Sequence, residues 1–416
     1  MQEITDRQEK IHIYREIIIK AQKDEKFRAT FDYDQFCQDI KSIGTLSTTE
    51  KSGSGLNIAI IGYASDMVGN WDPFDTANGL PGSEECVVYA SEELANRGYN
   101  VTLYMNPLEN SIWKSPFSNP RWLHEKEWDS QSNQDEYDLV LMWRRYDIDY
   151  GRKRGKVVFF WPHDSPPQGS YGSFPKFDGI CVLSSHQRKQ LSVFKGFEDI
   201  PYVVCGNGIV LNQFKDLIPR ENKYSIGYFS NYSRGLYILL LLWPEIKREF
   251  PESTLSICYG RQTWNTLSEN DLKQLVLLIE QYKKQGVIEY GKVGHSTLAE
   301  IMKQTSVWAY PCNTETETFC ITAIKCQAAG CIPVTTRIGA LEETIHQDAP
   351  NIKIIQTYDD VAAYKKLLLN TLYRIRDCSL KDINLERIKY MKFAQNFSWE
   401  ICIDKWLALY NAVKEK

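Results

Sequence analysis

The chain has no excess of charge of either sign. Its 416 residues carry 49 Lys and Arg against 53 Asp and Glu, a net charge of −4. A balance this close to neutral argues against nucleic acid as the main partner. Long apolar runs are also missing. The longest, LYILLLLW at 236–243, is eight residues, under half of the roughly 18–20 that a membrane span needs. At most peripheral membrane contact is expected. The eleven cysteines include no Cys-x-x-Cys. The cluster Cys312, Cys320, Cys326 and Cys331 leaves seven, five and four residues between its members, which matches no common zinc site. Most cysteines lie in apolar runs, such as DGICVLS and YVVCGNG, as buried reduced thiols do. The opening MQEITDRQEK is charged from the start, unlike a secretory leader. A cytoplasmic protein without a disulfide frame is expected. There is no repeat at a period of 20–50 residues and no low-complexity tract.

What is present is a repeated alternation of buried-looking strands and helices. Residues 1–50 read as a helical N-terminal extension, joined by a linker of Ser, Thr and Gly at 45–55. From Leu56 the runs LNIAIIGY, VTLYM, YDLVLMW, KVVFFW and GICVLS are strands, with a helix over 83–98. The pattern restarts at YSIGYFS and continues through TLSICYG, GVIEYG, SVWAYP, CIPVTT and NIKII. Helices are expected at 236–250, 269–285, 297–304, 320–329 and 358–375. Near-continuous apolar strands with intervening helices mean parallel sheets covered on both faces. The fold class is therefore α/β, with two doubly wound Rossmann-like halves at 56–215 and 222–396. An amphipathic helix closes the chain within 397–416. Ligands of such sheets sit at the carboxyl ends of the strands.

Four loops at those ends carry candidate chemistry. Gly79, Gly82 and Ser83 precede the first helix, where glycine lets backbone approach a ligand and free N–H groups face an anion. The G-x-G-x-x-G dinucleotide spacing is absent. His163 and Asp164 follow KVVFFW, a place suited to hydrogen bonding or acid–base work, or to a structural His–Asp pair. Asn231 and Arg234 lie between YSIGYFS and the next helix, and an arginine there suits a diphosphate. The fourth loop, PCNTETETFC, carries Glu315 and Glu317 before a helix whose first N–H groups, from Thr318, Phe319 and Cys320, suit phosphate. Asp147 and Asp149 form an Asp-x-Asp, the metal motif of single-sheet transferases, which the two-sheet pattern disfavours. His295 is read as preceding a capping box of Thr297 with Glu300.

The stretch ETFCITAIKCQAAGCIPV resembles the signature of nucleotide-sugar glycosyltransferases of the GT-B fold, in the broad family-4 group. These carry a Glu-x7-Glu pattern, then a small-residue stretch, Gly and an apolar strand. The resemblance covers most of residues 56–413. NIAIIGY and GLPGSEECVVYASEELANRGYNVTLY resemble the first βαβ unit. LSSHQRKQL and VVCGNGIVLNQF resemble the segment before the interdomain linker. FSWEICIDKWLALY resembles the closing helix, which in that fold crosses back to the first half. The implied architecture is GT-B: two facing Rossmann-like domains and a C-terminal crossover helix, with the N-terminal helical extension added here.

The resemblance implies a hexosyltransferase-type activity. A sugar passes from a UDP- or GDP-sugar to a hydroxyl of a glycan, lipid-linked or protein acceptor, with retention and without a cofactor or bound metal. It implies catalytic roles for His163 and Glu317. It places Gly82, Ser83, Asn231, Arg234, Thr318, Phe319 and Cys320 on the donor, with Arg234 on the diphosphate. Lys325 stands where the family has its second glutamate, the acceptor of hydrogen bonds from the nucleotide ribose. Lysine cannot accept, so the nucleotide contact is altered. A module that binds nucleotide, glycan or protein without turnover is the alternative reading. Acceptor selection is expected in the aromatic-rich loop 106–135.

Overall fold

The computed structural model describes residues 55–62, 70–71, 73–106, 119–166, 172–261 and 267–415. The helical extension read over 1–50 lies outside them, as do residues 107–118 of the loop 106–135. The chain divides into two compact units. The first holds residues through Val182, Leu191–Cys205 and Ile403 onward; the second holds Leu183–Gln190 and Gly206–Cys402.

The first unit is built on β1 (Asn57–Ile61), β2 (Asn100–Met105), β3 (Arg121–His124), β4 (Tyr137–Trp143), β5 (Gly155–Trp161), β6 (Gly179–Val182) and β7 (Tyr202–Val204). All pair in parallel, in the order β3-β2-β1-β4-β5-β6-β7. The helix α1 (Gly82–Asn96) follows β1 and α2 (Ile148–Arg152) follows β4; α3 (Ser185–Leu191) follows β6, but its residues through Gln190 group with the second unit. The central strands read as unbroken apolar runs because both sheet faces are covered: the last four residues of β1 and the last five of β5 are buried. One face packs Ala59, Ile61, Val140, Val158 and Phe160 into a cluster with Tyr104, Trp128 and Phe177. The end of the chain also covers this sheet: Trp406 meets Trp161 edge-on at 4.7 Å between ring centroids. Gly179 leaves room there, since a Cβ on it would sit 2.9 Å from a methyl of Leu409.

The second unit repeats the plan. Its strands are β8 (Ser225–Tyr228), β9 (Thr254–Cys258), β10 (Val287–Gly291), β11 (Val307–Tyr310), β12 (Ile332–Thr336) and β13 (Asn351–Ile352). They form a parallel sheet in the order β10-β9-β8-β11-β12-β13. The helices α4 (Leu236–Glu249), α5 (Glu269–Tyr282), α6 (His295–Gln304), α7 (Ile321–Ala328), α8 (Leu341–Thr344), α9 (Tyr358–Asp377) and α10 (Leu380–Ala394) flank or follow them. The helix α11 (Trp399–Val413) ends the chain, and its residues from Ile403 group with the first unit.

One local reading is corrected. Helix α6 starts at His295 with Gly294 as its cap and no capping side chain. Thr297 is already helical, so Thr297 with Glu300 is not a capping box. None of the ten cysteines described forms a disulfide, and nine are buried; Cys378 is exposed. Among the described residues, no helix is long and apolar enough to cross a membrane.

Each sheet reverses its winding once: between β1 and β4 in the first unit, between β8 and β11 in the second. Loops leaving adjacent strands on either side of such a point diverge and leave a crevice at the carboxyl ends. Gly82 and Ser83 follow β1, Asn231 and Arg234 follow β8, and Glu315 to Cys320 follow β11, while His163 and Asp164 follow β5, the neighbour of β4.

Candidate functional site

In the second unit the crevice is bounded by the loop after β8 and the loop after β11. The first is shaped by Asn231, whose side-chain oxygen accepts from the N–H and the hydroxyl of Ser233, at 3.0 and 2.9 Å. The Tyr228 hydroxyl donates to the Asn231 carbonyl at 2.6 Å. This closed turn delivers Arg234 just before α4. Gly235 follows at φ +104°, and a Cβ there would lie 2.1 Å from the carbonyl oxygen of Pro311. The two loops therefore touch backbone to backbone, which only glycine permits.

Arg234 crosses the gap. Its Nη1 donates to Oε2 of Glu317 at 2.6 Å. The Glu317 side chain is 8% exposed and that of Arg234 25%. The same carboxylate oxygen accepts from the Tyr310 hydroxyl at 3.3 Å, and Tyr310 accepts from Ser230 Oγ at 3.2 Å. The Glu317 carboxylate holds the Arg234 guanidinium charged well above its ordinary range. Burial, followed by the nearby Cys312 and Glu317, pushes the Tyr310 phenol up, so it stays a neutral donor at any physiological pH. The backbone of Glu317 is fixed as well: its carbonyl accepts from the Ala340 N–H at 3.0 Å. Gly339 comes so close that a Cβ would be 2.8 Å from that oxygen.

Beyond Glu317 the chain enters α7 through Thr318, Phe319 and Cys320, all nearly buried. The Thr318 carbonyl accepts from Ser184 Oγ at 2.7 Å. Cys320 caps the helix at φ +62° and ψ +69°, a conformation costly for a residue with a side chain. The N–H groups of Phe319 and Cys320 make no backbone hydrogen bond among the described residues, and both residues directly precede a helix, where a negative charge is favoured. Lys325 lies mid-helix and is only 7% exposed.

In the first unit, Gly82 and Ser83 open α1 and His163 follows β5. His163 is 7% exposed. Its ring lies 4.6 Å from that of Trp161 and 6.1 Å from that of Trp143. Burial, and then the Arg144 charge, push its imidazole well below the ordinary range. It is a neutral ring with one donor and one acceptor nitrogen. Asp147 of the Asp-x-Asp pair is held by Arg145, Nε to Oδ1 at 3.0 Å and Nη2 to Oδ2 at 2.6 Å. Among the described residues, no three His, Cys, Asp or Glu side chains are grouped to hold a metal ion.

Three residues beside these loops escaped the sequence reading: Tyr310, Glu84 and Arg144. Arg144 had a signal. It follows YDLVLMW directly, at a strand's carboxyl end, the rule that selected His163. Tyr310 and Glu84 had none, since a strand tyrosine and a helix glutamate are ordinary.

Residues 211–372 match the family described as "Glycosyl transferases group 1". No curated protein matches the chain by sequence. Several solved structures match along most of its length. HepE of Anabaena, solved with UDP, is 13% identical, with 86% of this chain and 100% of that one covered and a TM-score of 0.61. A sucrose-phosphate synthase of Thermosynechococcus elongatus is 14% identical over 86% and 99%, at 0.61. The catalytic domain of starch synthase IV of Arabidopsis thaliana, bound to ADP and acarbose, is 12% identical over 87% and 100%, at 0.60. Identity this low speaks to fold alone. The fold is that of the GT-B glycosyltransferases, two Rossmann-like units of parallel sheet flanked by helices.

Proposed function

We propose that this chain transfers a sugar from a nucleotide diphosphate sugar to an acceptor hydroxyl, with retention and without a bound metal. The observation that carries the reading is the Arg234–Glu317 pair set across the second unit's switch point, within the segment that matches glycosyl transferases group 1. The HepE and starch synthase structures, which hold UDP and ADP, support a nucleotide ligand.

In this reading the diphosphate leaves toward Arg234. One guanidinium nitrogen is spent on Glu317, and the other N–H donors remain for phosphate oxygens. The N–H groups of Phe319 and Cys320 complete a fixed set of donors for the leaving charge. Glu317 faces the donor sugar, with its free oxygen available to a sugar hydroxyl. Gly82, Ser83 and the neutral His163 contact the transferred sugar, and Asn231 shapes the donor loop. The acceptor, a glycan, a lipid-linked sugar or a protein, binds at the first unit.

The test is a thermal-shift panel of UDP-, GDP- and ADP-sugars, followed by an assay for released nucleoside diphosphate with and without a chelator. One donor is expected to raise the melting temperature and to be turned over regardless of chelator. At a hundred times its Kd a ligand adds about 2.7 kcal/mol of apparent stability. No stabilisation and no release with any donor would overturn the proposal.

Lys325 supports a second reading, a module that binds without turnover, and stabilisation without release would select it. Lys325 also gives a separate prediction. Lys325→Glu is expected to change the Kd for the nucleotide at least about tenfold, because it exchanges a donor for an acceptor at a buried position. Calorimetric titration with the nucleoside diphosphate measures this, and an unchanged Kd places Lys325 away from the ligand.

A further inference from the structure

Arg144 directly follows β4 in a conformation that arginine rarely adopts, φ +61°. For a side-chain-bearing residue that strain persists only where the surroundings hold it. They do so on three sides. Nη1 of Arg144 donates to Oε1 of Glu84 at 2.7 Å. Its Nε and Nη2 face the two oxygens of Asp164, at 3.0 and 3.2 Å. The guanidinium also lies over the Trp143 ring at 4.7 Å from its centroid, and the Arg144 N–H donates to the Trp161 carbonyl at 3.2 Å. Glu84 belongs to the first turn of α1, directly after Gly82 and Ser83, and its side chain is 1% exposed. Asp164 directly follows His163. One side chain thus ties the loop after β1, the end of β4 and the loop after β5, the segments around this unit's switch point.

We infer that Arg144 is a positioning residue: it fixes the start of α1 and the His163 loop relative to each other for sugar transfer. This rests on the transferase reading above. Burial of Glu84 is tolerable because the arginine is there: an unpaired carboxylate at that depth would take up a proton. The charged groups gathered at this end are Arg144 just after β4, Glu84 from α1 and Asp164 from the β5 loop. The cation among them is the one that opposes protonation of His163.

Arg144→Asn is the informative variant, because asparagine accepts positive φ and the change isolates the guanidinium from the backbone strain. With the full-length protein and its donor, kcat is expected to fall about 10²-fold while the donor KM stays within about threefold, as when a reacting geometry slips by roughly an ångström. Arg144→Lys keeps the charge but not the forked reach to two carboxylates, and is expected to recover part of the loss.

A second readout follows the His163 ring by NMR, assigned with His163→Gln. Burial keeps the wild-type ring titrating well below the ordinary range, and its midpoint is expected to rise in Arg144→Asn, where the opposing charge is gone. An unchanged His163 titration, or a kcat within about threefold of wild type, overturns the inference. If the wild-type protein turns over no donor, the transferase reading fails by itself and the titration still decides Arg144. If Arg144→Asn does not fold, Asp164→Asn cuts one of the two anchors and the same readouts apply.

Discussion

Glu317→Gln is expected to lower turnover about 10²–10³-fold, the usual cost of removing one pre-placed group that acts on the transition state. Glutamine is the better probe because the native carboxylate is not free. It receives Arg234 and Tyr310 at one oxygen, and Glu317→Ala would strand a cation in a mostly buried place. Breaking a buried pair from one side costs about 3–5 kcal/mol, less here because a quarter of the Arg234 side chain is exposed. Glu317→Gln keeps an oxygen for Arg234 and removes the charge. Steady-state kinetics with the donor found in the panel, alongside a melting curve, separates the two effects. Near-normal turnover in a folded Glu317→Gln protein would remove Glu317 from the site.

The second large effect lies one residue beyond Arg234. Gly235→Ala places a methyl 2.1 Å from the Pro311 carbonyl oxygen on a backbone at φ +104°. The conformational penalty is about 1–2 kcal/mol and the overpacking about 1–3 kcal/mol, so a loss of about 2–5 kcal/mol is expected. For a unit of this size that is about 4–20 °C in melting temperature. Turnover should fall further than stability, because the clash pushes the Arg234 loop away from the loop that carries Glu317. Calorimetry and donor kinetics on the same sample check both. A melting temperature within a degree or two of wild type would mean that the loops can part without cost.

Much of this was legible in the residues. The central strands of both sheets announce themselves as unbroken apolar runs, because helices cover both faces and no alternation is needed. The edges did not. β3 is RWLH and β7 is YVV, short and partly exposed, and each is a strand because a neighbour supplies the ladder. The helix α10 went unread for a related reason: its turns mix charged and apolar residues without a strong stripe. The site was legible as a set of loops, since strand ends and helix starts can be read from sequence. Its pairings were not. Arg234 and Glu317 are 83 residues apart, and nothing local in YFSNYSRG says that the arginine is shared with a carboxylate. Nor does any motif announce a positive φ at Arg144; that strain is imposed by Glu84 and Asp164, which only the fold brings near.

The interleaving of the two units along the chain bears on how the protein is made. The first unit begins the described chain yet is completed by residues from Ile403 onward, with Trp406 against Trp161. The second unit needs nothing beyond Cys402. As the polypeptide emerges from the ribosome, the half that appears first therefore lacks the cover over Trp161 and Gly179 until the later half has been made. The usual N-to-C order of domain folding during synthesis is inverted at this step, since the first unit is completed only by residues made after the last one of the second.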